Sequence, residues 1–147
     1  IVVAGDLDQI LSYKKKIKKI AKDLHVELLG LIKERKELFK LIKNAKLFIF
    51  PSKKEALSIM LLEVGTSKTP IIASDIPDNK SVFSYEEVLY FHSGNGDDLA
   101  SKINYALDNY SDMKSRAQKA YAKVSKEYDI NIIEKKYTNL YRDLIKN

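Results

Sequence analysis

At 147 residues, with 45% hydrophobic and 31% charged content, the chain is long enough to bury a core and has the composition of a globular protein, not a disordered one. The absence of cysteine excludes a disulfide framework and thiolate chemistry and fits a cytoplasmic chain. No apolar run approaches the roughly 20 residues that span a bilayer. The net charge of +6 invites an anionic partner, but only Arg35, Arg116 and Arg142 are arginines, the usual residue for bidentate recognition of phosphates and bases.

Residues 1–4 (IVVA) read as a buried strand stopped by Gly5-Asp6. No leader pattern precedes it, so the expectation is a piece whose upstream part is missing. A helix follows over 8–24, capped by Asp8, with Ile10, Tyr13, Ile17, Ile20, Ala21 and Leu24 at three-and-four spacing. Lys14, Lys15, Lys16, Lys18, Lys19 and Lys22 fall mainly off that stripe, a solvated face or a patch for an anionic surface. Residues 26–29 form a second strand stopped by Gly30. Residues 33–45 form a second amphipathic helix, with Leu38, Leu41, Ile42 and Ala45 on one face.

The run 47–50 is continuously apolar, as expected of a central parallel strand covered on both faces, and Pro51 ends it. Strands over 71–73 and 88–91 follow, and helices over 98–109, 112–127 and 130–146 close the chain. The clearest closing stripes are Leu99–Ile103–Ala106–Leu107 and Ile133–Tyr137–Leu140–Tyr141–Leu144. Neither a repeat nor a domain boundary is visible. Short strands alternating with helices predict an α/β fold with a parallel sheet and helices on both faces. Ligands of such sheets bind beyond the carboxyl ends of the strands, here at Gly5-Asp6, Gly30-Leu31, 51–59 and 74–79.

Several chemistries drop out. Neither G-x-G-x-x-G nor G-x-x-x-x-G-K-[ST] is present, and Gly94-Asn95-Gly96 reads as a turn running into an N-cap at Asp97 or Asp98. His25 and His92 are far apart, with no spacing for a zinc site and no G-x-S-x-G to build a triad around. Tyr105, Tyr121, Tyr128, Tyr137 and Tyr141 sit at spacings that suit helix packing, and no strand carries an aromatic pair for stacking bases. No nucleic-acid partner is expected.

What remains is the stretch PSKKEALSIMLLEVGTSKTPIIASD, residues 51–75, with seven residues between Glu55 and Glu63. A helix beginning near Leu57 points the free N–H groups of Leu57, Ser58 and Ile59 past its N-terminus, an anion site suited to a diphosphate. Glu55 just before it can accept from sugar hydroxyls. Glu63, flanked by Leu61, Leu62 and Val64, would find suitable partners in the hydroxyls of a ribose. A structural alternative stands beside this reading. Ser52-x-x-Glu55 has the spacing of a capping box, and Glu63 can pair with Lys68 or Lys80.

Residues 51–79 closely resemble the motif of retaining glycosyltransferases of the GT-B fold, glycosyltransferase family 4 or group 1 type. In these a strand ending in Pro-Ser leads to a Glu, seven residues, a second Glu, and a strand ending in Ser-Asp. IVVAGD, VELLG and LYFHSGNGDDLASKINYAL extend the resemblance over nearly the whole chain. It implies a Rossmann-like donor-binding domain, the C-terminal half of a GT-B fold, lacking its own first strand and the N-terminal acceptor domain. Glu55 would then hold the donor sugar, the backbone of Leu57, Ser58 and Ile59 the distal phosphate, Glu63 the ribose, and Leu31 and Ile32 the nucleobase. The resemblance implies neither metal nor cofactor, because basic side chains and helix N-termini neutralise the diphosphate.

The implied substrate is a nucleotide-diphosphate sugar, with the sugar, lipid or glycan acceptor reached through the missing domain. The location is cytoplasmic, with a peripheral place at the inner face of the membrane left open. No general base is assigned here, and the helix over 133–146 is expected to pack back across the inter-domain cleft. Against the family pattern, an upstream Arg and Lys are absent, and Ser58 stands where glycine is commoner, narrowing the space but adding a hydroxyl donor. These 147 residues alone are therefore expected to be inactive and to bind nucleotide-sugar weakly. A nucleotide-sugar epimerase on the same scaffold and a non-catalytic basic module remain the alternatives.

Overall fold

A computed structural model describes residues 1–8, 11–22 and 24–145. Within them the elements run β1 (Val2–Ala4), α1 (Leu11–Lys22), β2 (Glu27–Gly30), α2 (Arg35–Asn44), β3 (Phe48–Phe50), α3 (Ile59–Ser67), β4 (Ile71–Ser74), α4 (Pro77–Val82), β5 (Leu89–Phe91), α5 (Gly96–Asp108), α6 (Tyr110–Glu127) and α7 (Ile130–Ile145). The alternation expected from sequence is present, with parallel strands flanked by helices. Where the sequence shows no boundary, the chain divides into two compact units, Ile1–Leu41 and Ile42–Asn147.

In the first unit β1 and β2 pair in parallel, Val2 opposite Glu27 and Val3 opposite Leu28. The ladder is irregular after Val3, and Gly5 N–H closes it on the Gly30 carbonyl at 2.8 Å. Gly30 turns the chain at φ +68°, a conformation that costs glycine nothing. The expectation of a buried first strand fails, since Val2 and Val3 are exposed. A two-stranded ribbon in so small a unit has little with which to cover both faces. On α1, Ile17 and Ala21 are half-buried and Lys14 shares their face, while Tyr13, Ile20 and the other lysines are exposed. Asp8, the expected start of this helix, lies before α1 with its carboxylate paired to Lys14, whereas Ile10 lies outside the described residues, as does the Lys146 expected to end the last helix.

The second unit contains a parallel sheet in the order β3-β4-β5. Phe48, Ile49 and Phe50 lie opposite Ile71, Ile72 and Ala73, and Ile72, Ala73 and Ser74 opposite Leu89, Tyr90 and Phe91. The place predicted for β3 belongs to β4 in this sheet. All four β4 residues are buried, whereas β3, at the edge, is half-buried. Ile72, Phe91, Ala106 and Met113 form a core cluster, with Ile49, Leu99 and Ile103 packed against it.

Helix α3 packs on α6 through Gly65, where a β-carbon would lie 2.8 Å from Phe83 Cζ and 3.0 Å from Val124 Cγ2. The buried residues of α6, Met113, Ala117, Ala120 and Val124, recur at three-and-four spacing and form its inner face. Helix α4 was not anticipated. Its start follows from Pro77 at the first turn, where the missing N–H costs nothing. Helix α5 is capped by Asn95, not Asp97 or Asp98. The Asn95 side chain accepts from Asp98 N–H at 3.0 Å, while the Asp98 carboxylate accepts from His92 N–H at 2.7 Å. Of the tyrosines expected to pack, Tyr105, Tyr121, Tyr137 and Tyr141 are exposed and Tyr128 is half-buried, and α7 buries no residue.

Candidate functional site

The three strands of the second unit end, at their carboxyl termini, in Pro51-Ser52, Asp75 and His92-Ser93. Between β3 and α3, residues 51–58 run without regular structure, and this is where the sequence places its carboxylate and anion turn. Ser52 Oγ donates to Glu55 Oε1 at 2.5 Å and lies 3.2 Å from the Lys54 carbonyl. A capping box needs the serine at a helix start, and here α3 begins only at Ile59. The Ser52–Glu55 contact is therefore a loop contact that holds a half-buried carboxylate, and the capping alternative fails.

The helix start lies two residues later than the expected Leu57, and its geometry changes which donors are available. Ser58, the N-cap, has φ −76° and ψ 65°, and Ile59 N–H bonds the Leu57 carbonyl at 2.8 Å. Those values are those of an inverse γ-turn. Ile59 N–H is thus already occupied, contrary to the expectation that it is free. Leu61 and Leu62 N–H both reach the Ser58 carbonyl, at 3.0 and 3.3 Å. Among the described residues, the N–H groups of Leu57, Ser58 and Met60 have no acceptor.

The hydroxyl expected of Ser58 as an extra donor is also spent. Ser58 is 1% exposed and donates to Asn79 Oδ1 at 2.6 Å. Glu63 stands just over one turn into α3, half-buried between the fully buried Leu61 and Val64. Lys80 Nζ lies 4.0 Å from Asp75 and 5.5 Å from the Tyr85 ring centre, and Lys68 Nζ lies 4.3 Å from that of Tyr121. Leu31 and Ile32 belong to the first unit. There, with Leu29, Lys33, Glu34 and Glu37, they line an open hollow of about 580 Å³.

Three groups to which the sequence alone assigns no role shape the ends of β4 and β5. Asp75 accepts from Ser93 N–H at 3.0 Å and contacts His92 Nδ1 at 2.8 Å, while its own N–H extends the β4–β5 ladder to the Phe91 carbonyl. The Ser93 bond, then His92 and Lys80, hold the Asp75 carboxyl below its ordinary value against the opposing effect of burial. Tyr90 OH donates to the carbonyls of Asn79 and Phe83, at 3.0 and 2.8 Å, and burial pushes its phenol well up. Asn79, fully buried, is the third. Its signal in the sequence was faint, an amide two residues after a proline that opens an unrecognised helix. Among the described residues no cluster of three His, Asp or Glu side chains could hold a metal ion.

Parallel strands flanked by helices, with a polar turn beyond their carboxyl ends, define an α/β protein of the doubly wound kind. Residues 1–124 match the family model described as glycosyl transferases group 1, and the chain belongs to that family. Over 114 residues, 77% of the chain, it is 29% identical to the N,N'-diacetylbacillosaminyl-diphospho-undecaprenol alpha-1,3-N-acetylgalactosaminyltransferase of Campylobacter jejuni, covering 30% of that relative.

Among solved structures it is similar to Anabaena Alr3699/HepE in complex with UDP and glucose, with a TM-score of 0.84 and 18% identity. The match covers 97% of this chain and 40% of that one. It is similar also to the C-terminal domain of LpcC, a glycosyl transferase group 1 family protein of Francisella tularensis, with a TM-score of 0.74 and 20% identity, covering 84% of this chain and 66% of that one. Fold and family together make it a C-terminal glycosyltransferase domain of the GT-B type. It spans about a third of the Campylobacter relative and two fifths of the Anabaena protein.

Proposed function

We propose that this chain is the donor-binding domain of a retaining glycosyltransferase, which moves a sugar from a nucleotide-diphosphate sugar to an acceptor hydroxyl. The observation that carries the reading is the turn at Ser58. Three N–H donors without acceptors, those of Leu57, Ser58 and Met60, stand at the start of an apolar helix, with Glu55 before them and Glu63 after them. In this reading the turn takes the distal phosphate, whose charge the α3 dipole favours. Glu55, steadied by Ser52, accepts from sugar hydroxyls, and Glu63 accepts from the ribose.

In the transfer, the bond from the anomeric carbon to the diphosphate breaks, and a bond from that carbon to the acceptor oxygen forms with the same anomeric configuration. The acceptor proton is released to solvent, and the domain contributes positioning and stabilisation of the departing diphosphate. UDP and glucose in the Anabaena structure support a nucleotide-sugar donor, and the diphospho-undecaprenol in the Campylobacter relative's name supports a lipid-linked acceptor. No helix among the described residues is long and apolar enough to cross one. The exposed apolar residues of α7, Tyr137, Leu140, Tyr141 and Leu144, would pack on an acceptor domain.

The test is turnover. The intact protein, given UDP-, GDP- and ADP-sugars with lipid-linked and free glycan acceptors, should release nucleoside diphosphate and form a product with the donor's anomeric configuration, read by proton coupling. EDTA should leave the rate unchanged. An inverted product would overturn the retaining mechanism. Interconversion of the donor sugar without transfer would show an epimerase.

A further inference from the structure

Every hydrogen bond around Asn79 has a direction forced by chemistry. A backbone carbonyl can only accept, so the group 2.9 Å from the Ser74 carbonyl must be the Asn79 amide nitrogen. That assignment turns Oδ1 toward Ser58, whose hydroxyl must then be the donor of the 2.6 Å bond. Asn79 Nδ2 also reaches Ser74 Oγ at 3.1 Å, and the Ser74 hydroxyl spends its proton on the Ser52 carbonyl. On the other side, Tyr90 OH donates to the Asn79 carbonyl at 3.0 Å.

Ser58, Ser74 and Asn79 are each 1% exposed or less, so water does not compete for these bonds. The chain of bonds runs from the end of β3 through the end of β4 and α4 to the first residue before α3. It has no second arrangement available, because reversing any one bond would set a donor against a donor or a carbonyl against an acceptor.

We propose that Asn79 is a positioning residue for the Leu57–Ser58–Ile59 turn, fixing the conformation in which that turn takes the phosphate of a nucleotide. The inference rests on the reading of that turn as the phosphate-holding element. Ser58 is anchored at both ends, its hydroxyl on Asn79 and its peptide neighbours in the 2.8 Å bond from Ile59 to Leu57. The remaining donors therefore meet an anion without reorganising, which is where preorganised sites draw their advantage. The pairing is reciprocal. With glycine at 58 the turn would have no hydroxyl to anchor, and Asn79 would lose its influence on it.

The test is a double-mutant cycle on the intact protein, with inorganic pyrophosphate and UDP as probes, well below the melting temperature. Ser58→Ala and Asn79→Ala should each weaken both probes about tenfold, the scale on which a misplaced binding group costs affinity. The double variant should be no weaker than either single one, and pyrophosphate should shift the amide resonances of Leu57 and Ser58 in the unmodified protein. Should Asn79→Ala not fold, Ser58→Ala carries the same expectation alone.

Unchanged affinity in the single variants would overturn the proposal, as would losses that multiply in the double variant. Glu63→Ala separates the two levels. If it weakens UDP while the Asn79 and Ser58 variants do not, only the role of Asn79 falls. If it and they all leave UDP binding intact, the donor-site reading falls with it.

Discussion

Ser52 Oγ points at Glu55 Oε1 from 2.5 Å, a side-chain contact in a loop and not at a helix end. The serine hydroxyl thereby fixes one oxygen of a carboxylate at the carboxyl edge of the sheet. If Glu55 holds the donor sugar, Glu55→Ala should lower kcat/KM for the nucleotide sugar by about 10- to 100-fold. Ser52→Ala, which leaves the carboxylate present but less constrained, should lower it several-fold. Steady-state rates with a saturating acceptor check both, and equal rates in all three proteins would remove Glu55 from the site.

Gly65 tests the packing beneath that site. A methyl group there meets Phe83 Cζ at 2.8 Å and Val124 Cγ2 at 3.0 Å, and Phe83 is fully buried with nowhere to move. Overpacking of this kind costs about 1–3 kcal/mol, partly offset by the roughly 1 kcal/mol that alanine gains over glycine in a helix. Gly65→Ala should therefore lower the unfolding midpoint modestly, and Gly65→Val should lower it more. Urea denaturation of the two variants gives the order.

Much of this fold was legible because its signals are local. The apolar runs of β3 and β4, the stripe of α5 and the breaks at Gly5, Gly30 and Pro51 each follow from a few adjacent residues. The failures came from tertiary context. Val2 and Val3 look like core residues, yet a two-stranded ribbon leaves them exposed, and Tyr105, Tyr137 and Tyr141 have helical spacing but stay exposed. The candidate site was legible as a set of residue types but not as geometry. Spacing cannot reveal that Ser58 spends its hydroxyl on a residue 21 positions away, nor that Ile59 N–H closes a turn.

The clamp on Asp75 makes a prediction about acid. Its carboxyl titrates below the ordinary 3.8 because the charged form accepts from Ser93 N–H and faces His92 and Lys80. A depressed native value means that the stabilisation is fully present above the unfolded-state pKa and disappears as pH falls through the native one. Asp75→Asn should cost about 1 kcal/mol at neutral pH, since the carboxylate is partly exposed and screened. The difference from the unmodified protein should shrink toward zero as pH falls below 3.8. Chemical denaturation across pH 2–7 tests this, and a difference that does not change with pH would contradict it.

Tyr90 offers a cleaner single-atom test. Its hydroxyl serves the carbonyls of both Asn79 and Phe83, but Asn79 O also accepts from Phe83 N–H at 3.2 Å. The group left without its partner in Tyr90→Phe is the Phe83 carbonyl, and one such loss costs about 1–2 kcal/mol. The unfolding midpoint should fall accordingly, with little change in the slope of unfolding against denaturant. A neutral substitution would show that water replaces the hydroxyl.

The most direct measurement is a calorimetric titration of the intact protein with UDP-, GDP- and ADP-sugars, repeated on Glu63→Ala. A donor-binding domain predicts saturable binding of one nucleotide class that is lost or greatly weakened in the variant. Binding confined to nucleic acid or anionic lipid, falling steeply with salt and indifferent to Glu63, would contradict it.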